Sequence, residues 1–292
     1  MLYFEIGPDN SPTLSVKSGE TFQVETQMNS GPWVEERENS QELRKRLVGG
    51  NPSSGCIFIE GAKPGDMLAV EIGEIELSNF GFTAFGGNTG AMPSYFGAGP
   101  LGAHYKGVEI RNNQILWSRD ISIPASPMMG YVGVAPRFER YHNGWAGYWG
   151  GNFDIQEITT GAKVYLPVQV EGALLHAGDM HAIQGDGEIC GAGGIETEGT
   201  VELTCSLSEK PSGMYFPRIE NDTHLIAIGL AKPAEDAFRQ ALEFLIHWLE
   251  ERYGVEHGEA FMLLAQIMES RCTQFVNPSF TYIAKVAKRY FE

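Results

Sequence analysis

The sequence predicts a mainly β fold of the α+β kind with a helical C-terminal portion, and three observations carry that reading. Short apolar/polar alternations recur up to residue 232, separated by glycine- and proline-containing turns. Glycine is abundant, at 36 residues in 292, as short strands joined by tight turns require. Helical spacing of apolar residues sets in only after Pro233.

Taken in order, Leu14-Ser-Val16 alternates, Lys17-Ser-Gly-Glu20 is a turn, and Thr21-Phe-Gln-Val-Glu-Thr26 alternates again. Residues Trp33 to Leu47 carry Glu35, Glu36, Arg37, Glu38, Glu42, Arg44, Lys45 and Arg46, which reads as a solvated helix or loop. A strand at Cys56–Gly61 leads through the turn residues Pro64-Gly65 into a long alternating strand from Met67 to Leu77. Phe80 to Gly107 is rich in glycine and aromatics without helical period, the composition of an ordered loop over a pocket. Further strands are expected at Gly130–Pro136, at Ala162–Ala173 with Pro167 marking an edge or bulge, and over Glu198–Ser206. The continuous apolar run His224–Leu230 suits a strand buried on both faces.

After Pro233 a helix is predicted over Ala234–Tyr253, with Phe238, Leu242, Leu245 and Leu249 on one face and Gly254 as its cap. A second helix is expected over Gly258–Ser270 and a third over Ser279–Tyr290, started by Pro278. The expected organisation is a β-rich part over 1–130, a second β-rich part over 131–232, and a helical segment over 233–292 packed on the body.

Twenty-one basic residues against 37 acidic ones give a formal charge of −16, which argues against nucleic acid or an anionic membrane as partner. No apolar run reaches the length of a spanning helix, and Met1–Pro8 lacks the features of a signal peptide. Cys56, Cys190, Cys205 and Cys272 are scattered, as reduced thiols in a cytoplasmic protein would be. A homodimer is the expected assembly on base rates.

The chemistry concentrates between Leu174 and Glu196, where histidines and acids are separated mostly by glycine and alanine. Asp186-Gly187 is the signal for a type I′ hairpin turn. A turn there would place 181 opposite 192 and put Asp179, His181, Glu188 and Glu196 on one face, opposite the small Ala192 and Gly194. His176 has the opposite parity unless Gly178 kinks the strand. Buried together, such groups need a metal or a mutual hydrogen-bond network, and a histidine with carboxylates suits zinc or another divalent ion. A solvent-exposed polar hairpin is the alternative. In Trp145–Asp154, Asn152 and Asp154 can act as ligands or orienting groups among glycines and aromatics, or as a structural turn. P-loop, dinucleotide-binding and GxSxG signatures are missing, and Cys190 has no evident activating base.

Several of these strings together resemble the acetamidase/formamidase family: Gly150-Gly-Asn-Phe-Asp154, Leu166-Pro-Val168, Gly172-Ala-Leu174 and Gly178-Asp-Met-His-Ala-Ile-Gln-Gly-Asp-Gly-Glu188 followed by Glu196. Ile59–Glu71, Gly130–Pro136 and Gln274-Phe-Val-Asn-Pro278 are similar to further family segments. The resemblance implies a body with β-sandwich and barrel-like parts and hydrolysis of short aliphatic amides such as formamide or acetamide. It implies functional roles for Asn152, Asp154, Asp179, His181, Asp186, Glu188 and Glu196, with Glu60 as a further candidate. Two positions depart from the family pattern: Thr26-Gln-Met28-Asn29 lacks an acidic residue, and Trp149 stands where many members have histidine, with His104 or His142 as substitutes.

The expected site is then a divalent ion, zinc with calcium as the alternative, held by His181 with Asp154, Asp179 and Glu188. Glu188 or Glu196 would move the proton, aided by Asp186 and Asn152, in a pocket walled by Tyr148, Trp149 and Phe153 with Glu60 nearby. A non-catalytic ligand- or metal-binding protein of the same fold and a Cys190-dependent amidase are the rivals.

Overall fold

The computed structural model describes residues 1–29, 50–85, 90–93 and 104–291. The charged segment Trp33–Leu47 and residues 86–89 and 94–103 of the expected pocket loop lie outside the described residues, while Phe80–Phe85 and His104–Gly107, expected as loop, are strand. The chain starts with β1 (Leu2–Tyr3), β2 (Glu5–Ile6), β3 (Leu14–Val16) and β4 (Thr21–Thr26). The turn before β4 closes by Glu20 N–H donating to Lys17 O at 3.0 Å. β5 (Ser53–Ile59) leads through the Pro64-Gly65 turn into β6 (Asp66–Phe85), a strand of 20 residues that outruns the predicted one. β7 (His104–Arg111), β8 (Gln114–Leu116) and β9 (Ser122–Pro124) form a meander on its far end. Then come β10 (Met128–Gly133), β11 (Tyr141–His142), β12 (Ala146–Gly147), β13 (Gly150–Asn152) and β14 (Lys163–Pro167). Pro167 is the last residue of β14, where the missing N–H costs the ladder least. β15 (Leu175–His181), β16 (Glu196–Glu209), β17 (Arg218–Glu220) and β18 (His224–Ala231) complete the body.

Among the described residues eighteen strands join in one curled sheet that is antiparallel except where β3 runs parallel to β5. Its concave side holds a core that includes Ile57, Leu68, Val70, Val132, Phe153, Val164, Leu175 and Val201. β6 is the organising strand, because β16 pairs with it from Asp66 to Phe82 while β14 and β7 pair with its two ends.

Helix α1 (Ala234–Tyr253) ends at Gly254, whose left-handed φ of 67° lets its N–H cap Glu250 O at 3.0 Å. Its buried face runs through Ala237, Ala241, Leu245, Trp248 and Leu249, rotated from the predicted stripe so that Phe238 and Leu242 are only half-buried. Small residues take the innermost positions because α1 packs closely onto β18. Helix α2 (His257–Ile267) follows, with the Glu256 side chain accepting from Glu259 N–H as its cap. Beneath the helices lie β19 (Glu269–Gln274) and β20 (Phe280–Ala287). β18 is thus covered on both faces: Ile226 and Ile228 point into the main core, Leu225 and Ala227 toward the helices. This accounts for its continuous apolar run.

The predicted third helix over Ser279–Tyr290 is β20 and one 3₁₀ turn, Lys288–Tyr290. Its apolar spacing fits either period, but β20 pairs with β18 from His224↔Ala287 to Ala231↔Phe280, and β-branched Thr281, Ile283 and Val286 suit that ladder. Tertiary pairing decides the ambiguity. The second helix likewise stops at Ile267, because Glu269 and Ser270 already pair with Lys285 and Ala284. Among the described residues no helix is long and apolar enough to cross a membrane.

Candidate active site

Three adjacent strands put the ionisable side chains in one place. His181, the last residue of β15, faces Met128 on β10 and Glu196 on β16. Asp179 lies two residues earlier with a left-handed φ of 55°, and Asp154, just past β13, has a φ of 50°. Glu188, in the connection between β15 and β16, has a φ of 36°. Three acids in a region that side-chain-bearing residues seldom adopt mark a place where the fold holds strain for a purpose other than packing.

The hairpin register differs from the expected one. His181 faces Glu196, not Ala192, a displacement of four residues (196 against 192). Residues 182–195 form a wide connection closed by Ala182 N–H to Ile195 O and Ile195 N–H to Ile183 O, both 2.8 Å. Asp186-Gly187 does turn, but only Gly187 has positive φ, whereas a type I′ turn needs it at both residues. An even displacement preserves side-chain parity, so Asp179, His181 and Glu196 still share a face.

The polar atoms are held from behind. Gln184 donates its amide N–H to Asp154 O at 2.9 Å and Thr273 O at 3.0 Å, leaving its Oε1 to accept from His181 Nδ1 at 2.9 Å. His181 Nε2 is therefore turned toward Glu196 Oε2 at 3.3 Å and Asp179 Oδ1 at 3.6 Å. Asp154 Oδ2 accepts from Asn277 Nδ2 at 2.6 Å and Asn152 Nδ2 at 3.0 Å, and Asn152 Oδ1 accepts from Asn51 Nδ2 at 3.0 Å. Asn29 Nδ2 donates to Asp179 Oδ1 at 3.0 Å, and Gly193 N–H to Glu188 Oε1 at 3.3 Å. Asp154, Asp179, His181, Glu188 and Glu196 are all at least 96% buried, between 0% and 4% exposed. Yet Asp154 Oδ1, His181 Nε2, Glu188 Oε2 and both Glu196 carboxyl oxygens lack an aligned hydrogen-bond partner among the described residues.

Burial pushes the Asp154 carboxyl well above the usual range, with the charges of Glu188 and Asp179 adding to it. Burial likewise raises Glu188 to about 8 and Glu196 to about 7. Burial opposes a charged imidazole, but Glu196 and Asp179 outweigh it and hold His181 well above its usual value. Asp179 moves the other way: His181 and its hydrogen bonds overcome the burial effect and lower it. The raised groups share one sign. Each keeps its proton in the folded cation-free protein at pH values where the unfolded chain has released it, so stability falls as pH rises. Thermal unfolding of chelator-stripped protein should show the melting temperature decreasing from pH 5 to pH 8. If the cluster takes up a divalent cation, a cation-loaded sample, whose ligands would already be deprotonated, should lose much less.

A divalent cation fits this donor set. Asp154, Asp179 and His181 each offer an atom within 4.8 Å of the others, and the orphaned atoms lie around them. Gly130 leaves the required gap: a Cβ there would lie 2.5 Å from both Asp154 Oδ1 and Asp179 Oδ2. Its carbonyl meanwhile accepts from Phe153 N–H at 3.0 Å and Asp154 N–H at 3.2 Å, fixing the approach of that loop. Gly130→Ala should therefore keep the fold but spread the two carboxylates. If the cluster holds a divalent cation, its affinity should fall by about 10- to 100-fold, measurable by competition with a chromogenic chelator.

The cluster opens on a cavity of about 210 Å³ lined by Asp179, Glu188, Asn152, Asn29, Asn51, Asn277, Gly191 and Ala192, among others. A larger cavity of about 530 Å³ near Leu2, Gln23 and Ser54 has none of the five cluster residues in its wall.

Other expected residues are placed elsewhere. Asp186 is exposed and pairs with Arg271 Nε at 2.8 Å, because it occupies the outer corner of the turn. Glu60 is exposed at the end of β5 and accepts from Ser15 Oγ at 3.2 Å. The aromatics do not wall the cavity: Phe153 belongs to the main core, Trp149 stacks on Tyr141 at 3.9 Å, and Tyr148 donates to Glu139 at 2.9 Å. His176 stays on the opposite face of β15, bonded to Ser53 at 3.0 Å and edge-on to Tyr3. Met28 packs with Phe82, His142 is exposed, and the His104 side chain lies outside the described part. Asn29, Asn51, Gln184, Asn277 and Gly130 escaped sequence reasoning; all but Asn51 sat inside quoted strings without a role.

The chain is similar along most of its length to proteins of one family. A sequence profile of the Acetamidase/Formamidase family matches residues 5–144 and 147–291. The crystal structure of an acetamidase from Bacillus halodurans superposes with a TM-score of 0.87 at 33% identity, covering 99% of this chain and 96% of that one. The formamidase of Methylophilus methylotrophus is 26% identical over 68% of this chain and 62% of that one. A formamidase-like protein of Schizosaccharomyces pombe is 28% identical over 72% of this chain and 66% of that one. The chain thus spans about two thirds of the length of these curated relatives.

Proposed function

Since this chain belongs to the acetamidase/formamidase family, we propose that it hydrolyses short linear amides, formamide and acetamide being the simplest, at the cluster of Asp154, Asp179, His181, Glu188 and Glu196. The observation that carries this reading is the convergence of five buried ionisable side chains, four of them with unpartnered atoms, behind a small amide-lined cavity that Asp179 and Glu188 border.

A divalent cation held by Asp154, Asp179 and His181 belongs to the proposal. Calcium takes oxygen ligands, so the imidazole nitrogen favours a zinc-like ion. When bound, such an ion supplies Lewis acidity toward an amide carbonyl and toward water. The chain's own groups do the rest. Glu188 borders the cavity, and a carboxyl raised toward neutrality can both take and return a proton. It accepts the proton of the attacking water and delivers it to the amide nitrogen as the C–N bond breaks, giving the carboxylic acid and ammonia, which then exchange a proton to leave carboxylate and ammonium. Glu196 lies against His181 and is absent from the cavity wall, so it orients the imidazole. Asn29, Asn152 and Asn277 aim the carboxylates of Asp179 and Asp154. Ala192 and Gly191 leave room for a hydrogen or a small alkyl group on the acyl side.

The experiment is ammonia release from formamide and acetamide by native, chelator-stripped and zinc-reconstituted protein, with elemental analysis of each. Stripping should abolish turnover and zinc restore it. Cys190→Ala should leave the rate unchanged, because burial raises that thiol and keeps it a poor nucleophile. A stripped protein at full rate would sink the cation, and a loaded protein inert toward every short amide would sink the amidase reading.

A further inference from the structure

A second set of metal-ligating groups lies on the helical side of the molecule. Glu243, His247 and Glu250 recur at spacings of four and three on one face of α1. The Gly254 cap turns the chain so that His257, first residue of α2, comes back over Glu250. His247 Nδ1 and His257 Nδ1 lie 3.1 and 3.2 Å from the same oxygen, Glu250 Oε2, with the rings 5.4 Å apart. We propose that His247, Glu250 and His257 form a second cation site, separate from the carboxylate cluster and selective for a late first-row divalent ion such as zinc.

Four points of chemistry support it. Two imidazoles and one carboxylate are a borderline-soft donor set, which prefers zinc, copper or nickel over calcium or magnesium. Donors about 2.0–2.1 Å from a tetrahedral ion stand roughly 3.3 Å from one another, close to the separations observed. His247 ligating through Nδ1 leaves Nε2 free with the Glu243 carboxylate 4.0 Å away, within reach of a side-chain rotation that would let it orient the imidazole. The site is open enough for water to complete the shell, with the His257 side chain 54% exposed.

The ion would matter to α2. That helix buries only Ala260 and Leu264 and leaves Phe261 and Met262 exposed, so few apolar contacts anchor it. A metal bridging His257 to α1 would pin its first turn.

The test is calorimetric titration of stripped full-length protein with zinc chloride, for the wild type and for His247→Gln and His257→Gln. Both replacements are in partly exposed side chains, so the fold persists. Each variant should bind one zinc equivalent fewer than the wild type, while ammonia release by the zinc-loaded enzyme stays unchanged. Cobalt titration should lose the matching visible absorption in both variants, and zinc should slow amide exchange in α2 of the wild type only. Equal stoichiometry in the wild type and both variants overturns the proposal. A wild type binding one zinc and variants binding none would support this site and count instead against the cation at the carboxylate cluster.

Discussion

Glu188→Gln should lower the turnover number for acetamide by about 10²- to 10⁴-fold, the range that general acid–base catalysis contributes. The replacement is isosteric and keeps an oxygen for Gly193 N–H, so the 182–195 connection retains its shape. What disappears is an atom, Oε2, that is buried without an aligned partner in a side chain bordering the cavity. An amide cannot take up and return a proton near neutral pH. The loss should fall on kcat with KM little changed, since the residue acts in the bond-breaking step. The rising limb of the pH profile should vanish with it. Zinc content should stay at the wild-type level. A variant that loses its zinc would move Glu188 into the ligand set, and one with the wild-type rate would remove it from the chemistry altogether.

His181→Ala should cost more. The imidazole supplies the one nitrogen donor of the cluster and the one basic partner within ion-pair distance of Asp179 and Glu196 among the described residues. Deleting it leaves carboxylates facing each other in a buried place, and breaking such a pair typically costs about 3–5 kcal/mol of stability. Loss of the cation's charge stabilisation, several kcal/mol, should bring amide hydrolysis down by at least about 10³-fold. Both effects are measurable on one preparation, by denaturant unfolding and by ammonia release. Stability within about 1 kcal/mol of the wild type, alongside full zinc content, would mean that His181 neither pairs nor ligates. A Gln184 variant is a gentler probe of the same point, because Gln184 only fixes which imidazole nitrogen faces the carboxylates.

Much of this site was legible because a strand's two-residue period survives errors in register. Asp179, His181 and Glu196 fall on one face whether His181 meets residue 192 or 196, so the grouping held although the predicted turn did not. Asp154 was visible through the glycines before it, which allow the sharp approach to Gly130. Gly254 marked the end of α1 for a similarly local reason, since a left-handed residue at a helix end is written into the chain.

The amides and aromatics were not legible. Asn29, Asn51 and Asn277 come from segments remote in sequence, and an asparagine has no local pattern that separates an orienting amide from a surface one. Gly130 resembles any other glycine until the carboxyls of Asp154 and Asp179 are known to close on its missing Cβ. The aromatics of Tyr148–Phe153 were assigned to the pocket by proximity along the chain, yet Phe153 packs in the core and Trp149, in the turn before β13, stacks on Tyr141. The helix expected over Ser279–Tyr290 failed for a related reason, because its apolar spacing fits two periods and only β18 selects one.

By itself, then, the amino-acid sequence determined the β-rich character, the capped α1 and the face shared by Asp179, His181 and Glu196, all of which follow from periodicity and backbone preference within a few residues. Tertiary structure alone decided the register that brings His181 opposite Glu196, that Asp186 and Glu60 stay outside the cluster, and that small residues and amides rather than aromatics border the cavity. The physical reason is that ionisation, hydrogen-bond partners and room for a cation depend on what lies within a few ångströms in space, and β10, β13, β15, β16 and the Asn277 loop meet only when the sheet curls.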